Sequence, residues 1–99
     1  MTAPIRITKT LDGAQGRYAA RIDGIEGEAE ITFTVLAPDR ISADHTDAPA
    51  SMRGSGVALA LVQFMIADAR ASGVRIVPVC PYVLAQFNKH PDWQDMRAP

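Results

Sequence analysis

The chain has 99 residues, 47% of them hydrophobic, and its ten basic and eleven acidic side chains give a formal net charge of −1. A chain of this length is expected to form one domain, residues 1–99, whose thin two-layer core needs no disulfide bonds. The charge lacks the basic excess that binds nucleic-acid backbones, so neither DNA nor RNA is expected as a partner.

Three further features concern the compartment. The longest apolar stretch, 57–67, is interrupted by Gln63 and falls short of the roughly 20 residues that span a bilayer. The first ten residues contain no apolar segment typical of a signal peptide. Cys80 is the single cysteine, so no intrachain disulfide is expected, which suits a reducing environment. These observations predict a cytoplasmic protein without a membrane segment.

The first half of the chain carries the apolar alternation of half-buried strands. Residues 28–36 place Ala29, Ile31, Phe33 and Val35 on one face. The same pattern predicts three more strands: one at Ile5 and Ile7 that ends before Asp12, one over 17–23 and one over 40–45. Turn residues between them favour an antiparallel meander of four strands.

The spacing of apolar residues then becomes helical. It predicts a long helix over 55–72, with Gly73 as its C-cap. This helix is apolar nearly all round and is expected to lie mostly buried against the sheet. Its narrow polar stripe consists of Gln63, Asp68, Arg70 and Ser72.

The last quarter of the chain predicts a strand, a helix and a tail. Residues 74–80 form the strand, with a bulge or an unpaired position at Pro78. A second helix covers 81–89, because proline is tolerated at a first helical position and Pro91 ends the pattern. The tail over 92–99 contains the single Trp, which is expected to dock, while the last few residues are expected to be loose.

A glycine-rich turn, MRGSGVA over 52–58, precedes the long helix. The first amides of a helix lack intrahelical acceptors and lie at its positive end, so such a turn suits a phosphate or pyrophosphate group. An ordinary loop with a glycine hinge is the alternative. Two known phosphate loops do not fit: Gly56 is followed by Val57 where a Walker A loop needs Lys, and the third glycine of a dinucleotide fingerprint falls at Leu59.

The pattern Arg/Gln-x-x-Gly-x-Gly/Ala is met by Arg53, Gly56 and Ala58, and it resembles the acetyl-CoA pyrophosphate loop of the GNAT N-acetyltransferase superfamily. Three blocks extend the likeness over 17–96: HTDAP with RGSGVALALV, then GVRIVPVCPYV, then FNKHPDWQDM. Together they resemble the very short GNAT-like acetyltransferases whose strand ends in Cys-Pro-Tyr. The order of the predicted elements agrees with that family.

The resemblance implies an α/β fold: a mixed, mainly antiparallel sheet, with a long helix after the fourth strand and a second helix after the fifth. The fourth and fifth strands would splay apart, with 40–46 and 74–80 lining the opening that holds the pantetheine arm. The co-substrate would be acetyl-CoA, leaving as coenzyme A. Its pyrophosphate would bind the amides of Arg53, Gly54, Ser55, Gly56, Val57 and Ala58. Its pantetheine amides would lie beside His45, Thr46 and Asp47.

Cys80 is the first candidate catalytic residue. It ends a strand where a helix begins, and the positive end of a helix favours a thiolate. The resemblance places it near the thioester, as a nucleophile that forms an acetyl-cysteine or as a proton donor to the departing CoA thiolate. A small buried hydrophobic residue is the alternative.

Two more side chains carry chemistry suited to this reaction. His45 ends a strand beside the turn and is a candidate base for an ammonium acceptor, although a lone histidine is more often a solvated or satisfied side chain. Tyr82 is a candidate proton donor, but longer members of the superfamily place their acid tyrosine further along the helix. Lys89 is a candidate contact for the 3′-phosphate of CoA, with a solvated lysine as the alternative.

Other polar residues have structural explanations. His90 suits the carbonyl end of the second helix. Glu28 and Glu30 share a strand face and either collect cationic acceptors or form an ordinary wet sheet surface. The two histidines and the cysteine show no metal-ligand spacing, so no metal site is predicted.

These features favour an acetyl-CoA-dependent N-acetyltransferase that acts on a primary amine. The chain has no segment for the helices between early strands that wall the acceptor pocket in longer members. The amine is carried by a small molecule or by a protein. An open acceptor site suits a large acceptor, such as a protein lysine or N-terminus, or a pocket that a second copy of the chain completes as a homodimer. The alternatives are a non-catalytic acyl-CoA-binding module and a protein-interaction scaffold with a structural glycine turn. The sequence does not identify the acceptor.

Overall fold

The computed structural model describes residues 4–99, in which five strands form one sheet in the order of the chain. The strands are β1 (Ile5–Asp12), β2 (Gln15–Ile22), β3 (Ala29–Ala37), β4 (Arg40–Asp47) and β5 (Arg75–Pro78). The first four pair antiparallel, and β5 pairs parallel to β4. Helix α1 (Val57–Ser72) connects β4 to β5, and α2 (Pro81–Lys89) follows β5. The predicted α/β fold is confirmed.

Short turns hold the meander together. β1 and β2 are joined by a two-residue turn whose first residue, Gly13, has φ +63°, a conformation that glycine adopts without strain. Just after this turn, Gly16 of β2 stands opposite Phe33 of β3 and lies under its ring, where a Cβ atom would come within 2.0 Å of the ring. The four predicted strands are confirmed, and β2 begins two residues before the predicted start.

Helix α1 packs on one face of the sheet. Its buried side chains meet Tyr18, Ile31 and Phe33 from the strands; they are Val57, Leu61, Val62, Met65, Ile66 and Ala69. Each large apolar side chain buried in this way stabilises the fold by about 1.5–3 kcal/mol relative to exposure. No helix within residues 4–99 has the length and apolar character needed to cross a membrane.

One member of the predicted polar stripe on α1, Asp68, is only partly exposed to water. The Asp68 carboxylate accepts hydrogen bonds from the buried Tyr18 hydroxyl, at 2.8 Å, and from Lys9 Nζ, at 2.7 Å. The stripe prediction holds only in part here, because Asp68 also lies above the sheet, where a phenol needs an acceptor. One turn earlier on the same side of the helix, Phe64 is 38% exposed although its ring edge contacts Tyr18, so α1 is less buried than predicted.

The C-terminal tail packs against the rest of the domain up to its last residues. Trp93 is buried and packs edge-on against Phe87, with ring centroids 6.2 Å apart. Ala98 is also buried, and its N–H donates to the Ile76 carbonyl at 2.8 Å. The prediction of loose final residues is wrong because they pair with the outer edge of β5, which otherwise leaves backbone groups without partners.

Candidate active site

The sheet opens between β4 and β5. The two strands pair from Arg40 with Arg75 to Ala43 with Pro78, where β5 ends. β4 continues for four residues to Asp47 and pairs only with β3 there. The Cys80 N–H donates to the Ala43 carbonyl at 2.8 Å and closes the apex of the opening. The expected lining is thus corrected: 40–43 and 75–78 are paired with each other, and 44–47 borders the gap.

A β-bulge lies at this apex. The register of β3 with β4 passes from Thr32 opposite His45 to Phe33 opposite Ala43, so Asp44 is the extra residue. A bulge bends its strand and redirects side chains, which fits the separation of β4 from β5 at this point. The Asp44 carboxylate accepts hydrogen bonds of 2.6 Å from the hydroxyls of Thr34 and Ser42. Sequence reasoning assigned Asp44 no role, since nothing in the local sequence marks a bulge.

The glycine-rich turn lies between β4 and α1. A 3₁₀ turn over Ala50–Met52 leads into it. Gly54 has φ +79° and Gly56, the N-cap of α1, has φ +80°; a Cβ at either position would meet open space. Glycine is therefore required by the backbone conformation and not by crowding.

Alternate amides of this turn are used internally. The Arg53 N–H donates to Ala50 and the Ser55 N–H to Met52, each at 3.1 Å. The Val57 N–H donates to the Ser55 hydroxyl at 3.2 Å. The expectation that all six amides face a ligand is thus corrected, because three of them already have acceptors.

The remaining amides have no such acceptor. Within residues 4–99, the N–H groups of Gly54, Gly56 and Ala58 make no hydrogen bond to the protein. They lie at the positive end of α1, whose first turn carries no acidic side chain. The Arg53 side chain is exposed beside them. This arrangement is suited to an anion with several oxygens, such as a pyrophosphate.

Cys80 and Thr46 meet at the apex of the opening. The Cys80 thiol is 4% exposed, and its Sγ lies 3.3 Å from Thr46 Oγ1, close enough for a hydrogen bond in either direction. Cys80 is also the N-cap of α2, and its carbonyl accepts from the Leu84 N–H at 2.9 Å. The thiol is therefore held in one place at the narrow end of the gap.

His45 lies on the other side of the sheet from this pair. It is exposed and stands opposite Thr32, whereas Thr46 stands opposite the buried Ile31. Successive residues of a strand point to opposite faces. The structure brings Thr46 and Cys80 together and leaves His45 and the exposed Asp47 on the solvated face of β4.

The remaining candidates lie on α2. Tyr82 is half-buried in its first turn, and burial raises the pKa of its hydroxyl. Lys89 is exposed at the other end of α2, nine residues from Cys80 in sequence and about 13 Å along the helix. His90 has a structural place: its Nδ1 lies 2.7 Å from the Gln86 carbonyl, and its ring stacks on Trp93 at 3.8 Å.

The acidic side chains on the solvated sheet face are paired with arginines. Arg17 contacts both Glu28 and Glu30, and Arg21 also reaches Glu28. The hydrogen bond from Arg17 is the main cause that lowers the pKa of Glu28. These carboxylates are partly neutralised, which favours the wet-surface interpretation. Within residues 4–99, no three His, Cys, Asp or Glu side chains are grouped to hold a metal ion.

A mixed sheet that splits after its fourth strand, with a glycine turn opening the next helix beside the split, defines the GNAT-like class of α/β folds. A family model described as GCN5-related N-acetyl-transferase matches residues 17–96. The chain belongs to this family, as its sequence motifs predicted.

The fold also matches a solved structure. A ribosomal-protein-alanine N-acetyltransferase from Brucella melitensis biovar Abortus 2308 aligns with a TM-score of 0.59 and 23% identity over 89% of this chain. The chain spans 64% of the length of that protein. No curated protein matches the chain.

Proposed function

We propose that this chain binds acetyl-CoA and transfers the acetyl group to a primary amine. The observation that carries the proposal is that the amides of Gly54, Gly56 and Ala58, at the start of α1 and beside the opening between β4 and β5, have no acceptor within residues 4–99. Membership of an N-acetyltransferase family supports it.

The pyrophosphate of acetyl-CoA binds the amides of Gly54, Gly56 and Ala58, and the Arg53 guanidinium adds positive charge. Ser55 and Val57 support this arrangement from inside, because their own hydrogen bonds hold the turn in shape. Each bond from an amide to a charged oxygen contributes about 1.5–3 kcal/mol. Three of them, less the cost of ordering the cofactor, are consistent with micromolar affinity.

The pantetheine arm lies in the gap, and its amides pair with the free backbone edge of 44–47, as an added strand pairs with a sheet edge. This stretch contains His45, Thr46 and Asp47, whose backbone pairs with β3 on one edge and faces the gap on the other. The thioester then reaches the apex, where Cys80 and Thr46 meet. We assign Lys89 to the 3′-phosphate of CoA because it is the exposed cation of α2.

Acetyl transfer follows from position and electrostatics. The acceptor nitrogen attacks the thioester carbonyl, the C–S bond breaks, and CoA leaves as a thiolate that takes up a proton. Tyr82 suits that donation, because a raised pKa keeps its hydroxyl protonated. His45, on the open face, takes the proton that the acceptor ammonium must lose. In the covalent variant, the Cys80 sulfur attacks the thioester first, and CoA leaves with the proton that the Cys80 thiol loses. The amine then cleaves the acetyl-cysteine, and the thiol takes up the proton that the amine loses.

The acceptor side is broad. β1 and β2 are joined by the two residues between Asp12 and Gln15, so no helix covers the sheet there. The solved structure that this chain resembles is named for an action on a ribosomal-protein alanine. An exposed amine on a large molecule is the acceptor class that suits this open surface. A second copy of the chain is the other means of completing the pocket.

Two glycines provide a matched test of the co-substrate site. Gly56 and Gly73 cap the two ends of α1, both have positive φ, and a Cβ at either meets open space. Leucine in either place costs about 1–2 kcal/mol of stability through backbone strain. By calorimetry, Gly56→Leu is expected to raise the acetyl-CoA dissociation constant more than about tenfold, and Gly73→Leu less than about twofold. The assignment fails if the native chain gives no saturable heat or if both variants weaken binding equally.

A non-catalytic acyl-CoA-binding module is the second candidate. It is favoured by one observation: His45 and Cys80 lie on opposite sides of β4, so the candidate base does not contact the thiol. Incubation with acetyl-CoA and a panel of amines and peptide N-termini separates the two functions. Release of free CoA with acetylated product supports the transferase, and binding without release supports the module. Absence of any thermal shift with CoA compounds leaves the protein-interaction scaffold.

A further inference from the structure

A cavity lies at the opposite end of α1 from the glycine turn. The last helical turn, Ala69 and Ser72, forms one wall, and the end of β3 with the start of β4 forms the other. The α1 C-cap at Gly73 turns the chain back toward β5, which keeps this helical turn above the sheet. About 22 Å of helix separates Val57 from Ser72. The cavity is therefore a different place from the proposed acetyl-CoA site.

The cavity has a buried floor and an exposed rim. Its volume is about 230 Å³. Tyr18, Phe33, Ile41 and Ala69 form the floor, and each is less than 7% exposed. The other apolar side chains around it are Leu11, Val35, Ala37, Pro38 and Val74. Leu11 is 56% exposed, so the rim presents apolar surface to solvent.

Three polar side chains, Lys9, Asp68 and Ser72, also line the cavity. Asp68 lines the cavity, and a single oxygen of its carboxylate, Oδ2, accepts the bonds from both Lys9 and Tyr18. Within residues 4–99, the other oxygen, Oδ1, makes no hydrogen bond. Lys9 Nζ lies 5.7 Å from the centre of the Tyr18 ring and 5.8 Å from that of Phe33. Lys9 balances the charge of Asp68, so the wall offers a hydrogen-bond acceptor without a net charge.

We propose that this cavity binds a small uncharged aromatic molecule of one or two rings that carries one N–H or O–H donor. An apolar cavity of about 150 Å³ holds benzene, so this one has room for a bicyclic ring. The ring packs against Phe33 and Ile41, and its donor bonds to Asp68 Oδ1. A charged ligand is disfavoured, because Lys9 and Asp68 already neutralise each other.

The test uses indole and benzofuran, two bicyclic rings of nearly the same shape of which only indole carries an N–H. Each is titrated into the ¹⁵N-labelled native chain without acetyl-CoA, and amide shifts are followed by NMR. Indole is expected to give saturable shifts confined to residues that line the cavity, with a dissociation constant of about 0.1–1 mM. Benzofuran is expected to bind at least about fivefold more weakly, because Asp68 gains no donor.

Two neighbouring exposed residues supply the variants. Ser72 lines the rim, whereas the adjacent Ala71 does not, and both are exposed, so phenylalanine at either leaves the core intact. Ser72→Phe is expected to weaken indole binding at least about tenfold, and Ala71→Phe less than about twofold. The proposal is overturned if indole gives no saturable shifts, if the shifts scatter over the surface, or if the two variants behave alike. None of these results depends on acetyl transfer.

Discussion

The two ends of α1 have similar backbones and opposite hydrogen bonding. Each end is capped by a glycine in the left-handed region, Gly56 at φ +80° and Gly73 at φ +69°. The amides of Gly73 and Val74 donate to carbonyls of the last helical turn, at 3.4 and 2.9 Å. The amides of Gly54, Gly56 and Ala58 have no such partners within residues 4–99. A left-handed glycine therefore marks a helix end of either kind, and the hydrogen bonds distinguish a cap from a binding turn.

The largest expected effect concerns Cys80, which lies at the apex of the opening between β4 and β5, on the side of the N-terminal end of α1. Cys80→Ala removes the thiol that contacts Thr46 and leaves the glycine turn untouched. We expect the acetylation rate to fall about ten- to a hundredfold, while the acetyl-CoA dissociation constant changes less than about threefold. Intact mass of the native chain after acetyl-CoA treatment shows whether an acetyl group resides on Cys80. An unchanged rate in Cys80→Ala would remove Cys80 from the mechanism.

A smaller effect is expected near the C-terminal end of α1, where Tyr18 contacts Asp68. Tyr18→Phe removes the hydroxyl that donates to Asp68 and should cost about 1.5–2 kcal/mol of unfolding free energy, since the acceptor is charged. Tyr82→Phe is the control, because within residues 4–99 the Tyr82 hydroxyl has no hydrogen-bond partner, and it should cost less than about 0.5 kcal/mol. Urea denaturation measures both. Equal losses would contradict the assigned role of the Tyr18 bond.

The smallest expected effect is the dependence of the unfolding free energy on pH that Asp68 causes. Burial raises the pKa of Asp68, but the hydrogen bonds from Lys9 and Tyr18 lower it, and the net direction is downward. A folded-state pKa below the unfolded one gives stability that is present above the unfolded value and is lost as the pH falls through the folded value. The stability of the native chain should therefore fall from about pH 5 downward, and that of Asp68→Asn should fall less, by several tenths of a kcal/mol. Urea denaturation at a series of pH values measures both. If the stabilities of the native chain and of Asp68→Asn fell in parallel with pH, the assigned role of Asp68 would be contradicted.

Much of the fold could be predicted, because its determinants are local. The alternation of Ala29, Ile31 and Phe33 predicts β3, and the prolines at 81 and 91 bound α2. The polar stripe on α1 did not predict that Asp68 binds Tyr18, because helical spacing does not reveal a buried phenol on a strand. The tail appeared loose in the sequence because its polar residues conceal its pairing with Ile76 on β5.

The residues of the candidate site could be predicted from the sequence better than their arrangement in space. The glycines of the turn were found because a positive φ requires them. Which amides are free depends on the 3₁₀ turn before Arg53, a feature with no clear sequence pattern. The bulge at Asp44 and the separation of His45 from Cys80 depend on the pairing of β3 with β4, which is a long-range property.

The amide resonances of the glycine turn test the central claim most directly. Acetyl-CoA is titrated into the ¹⁵N-labelled native chain while the amides of Gly54, Gly56 and Ala58 are followed. We predict large saturable shifts for these three and smaller ones for Arg53 and Ser55, whose protons already have acceptors in the chain. Shifts absent from the turn, or equal across all five amides, would contradict the assignment of a pyrophosphate site at the start of α1.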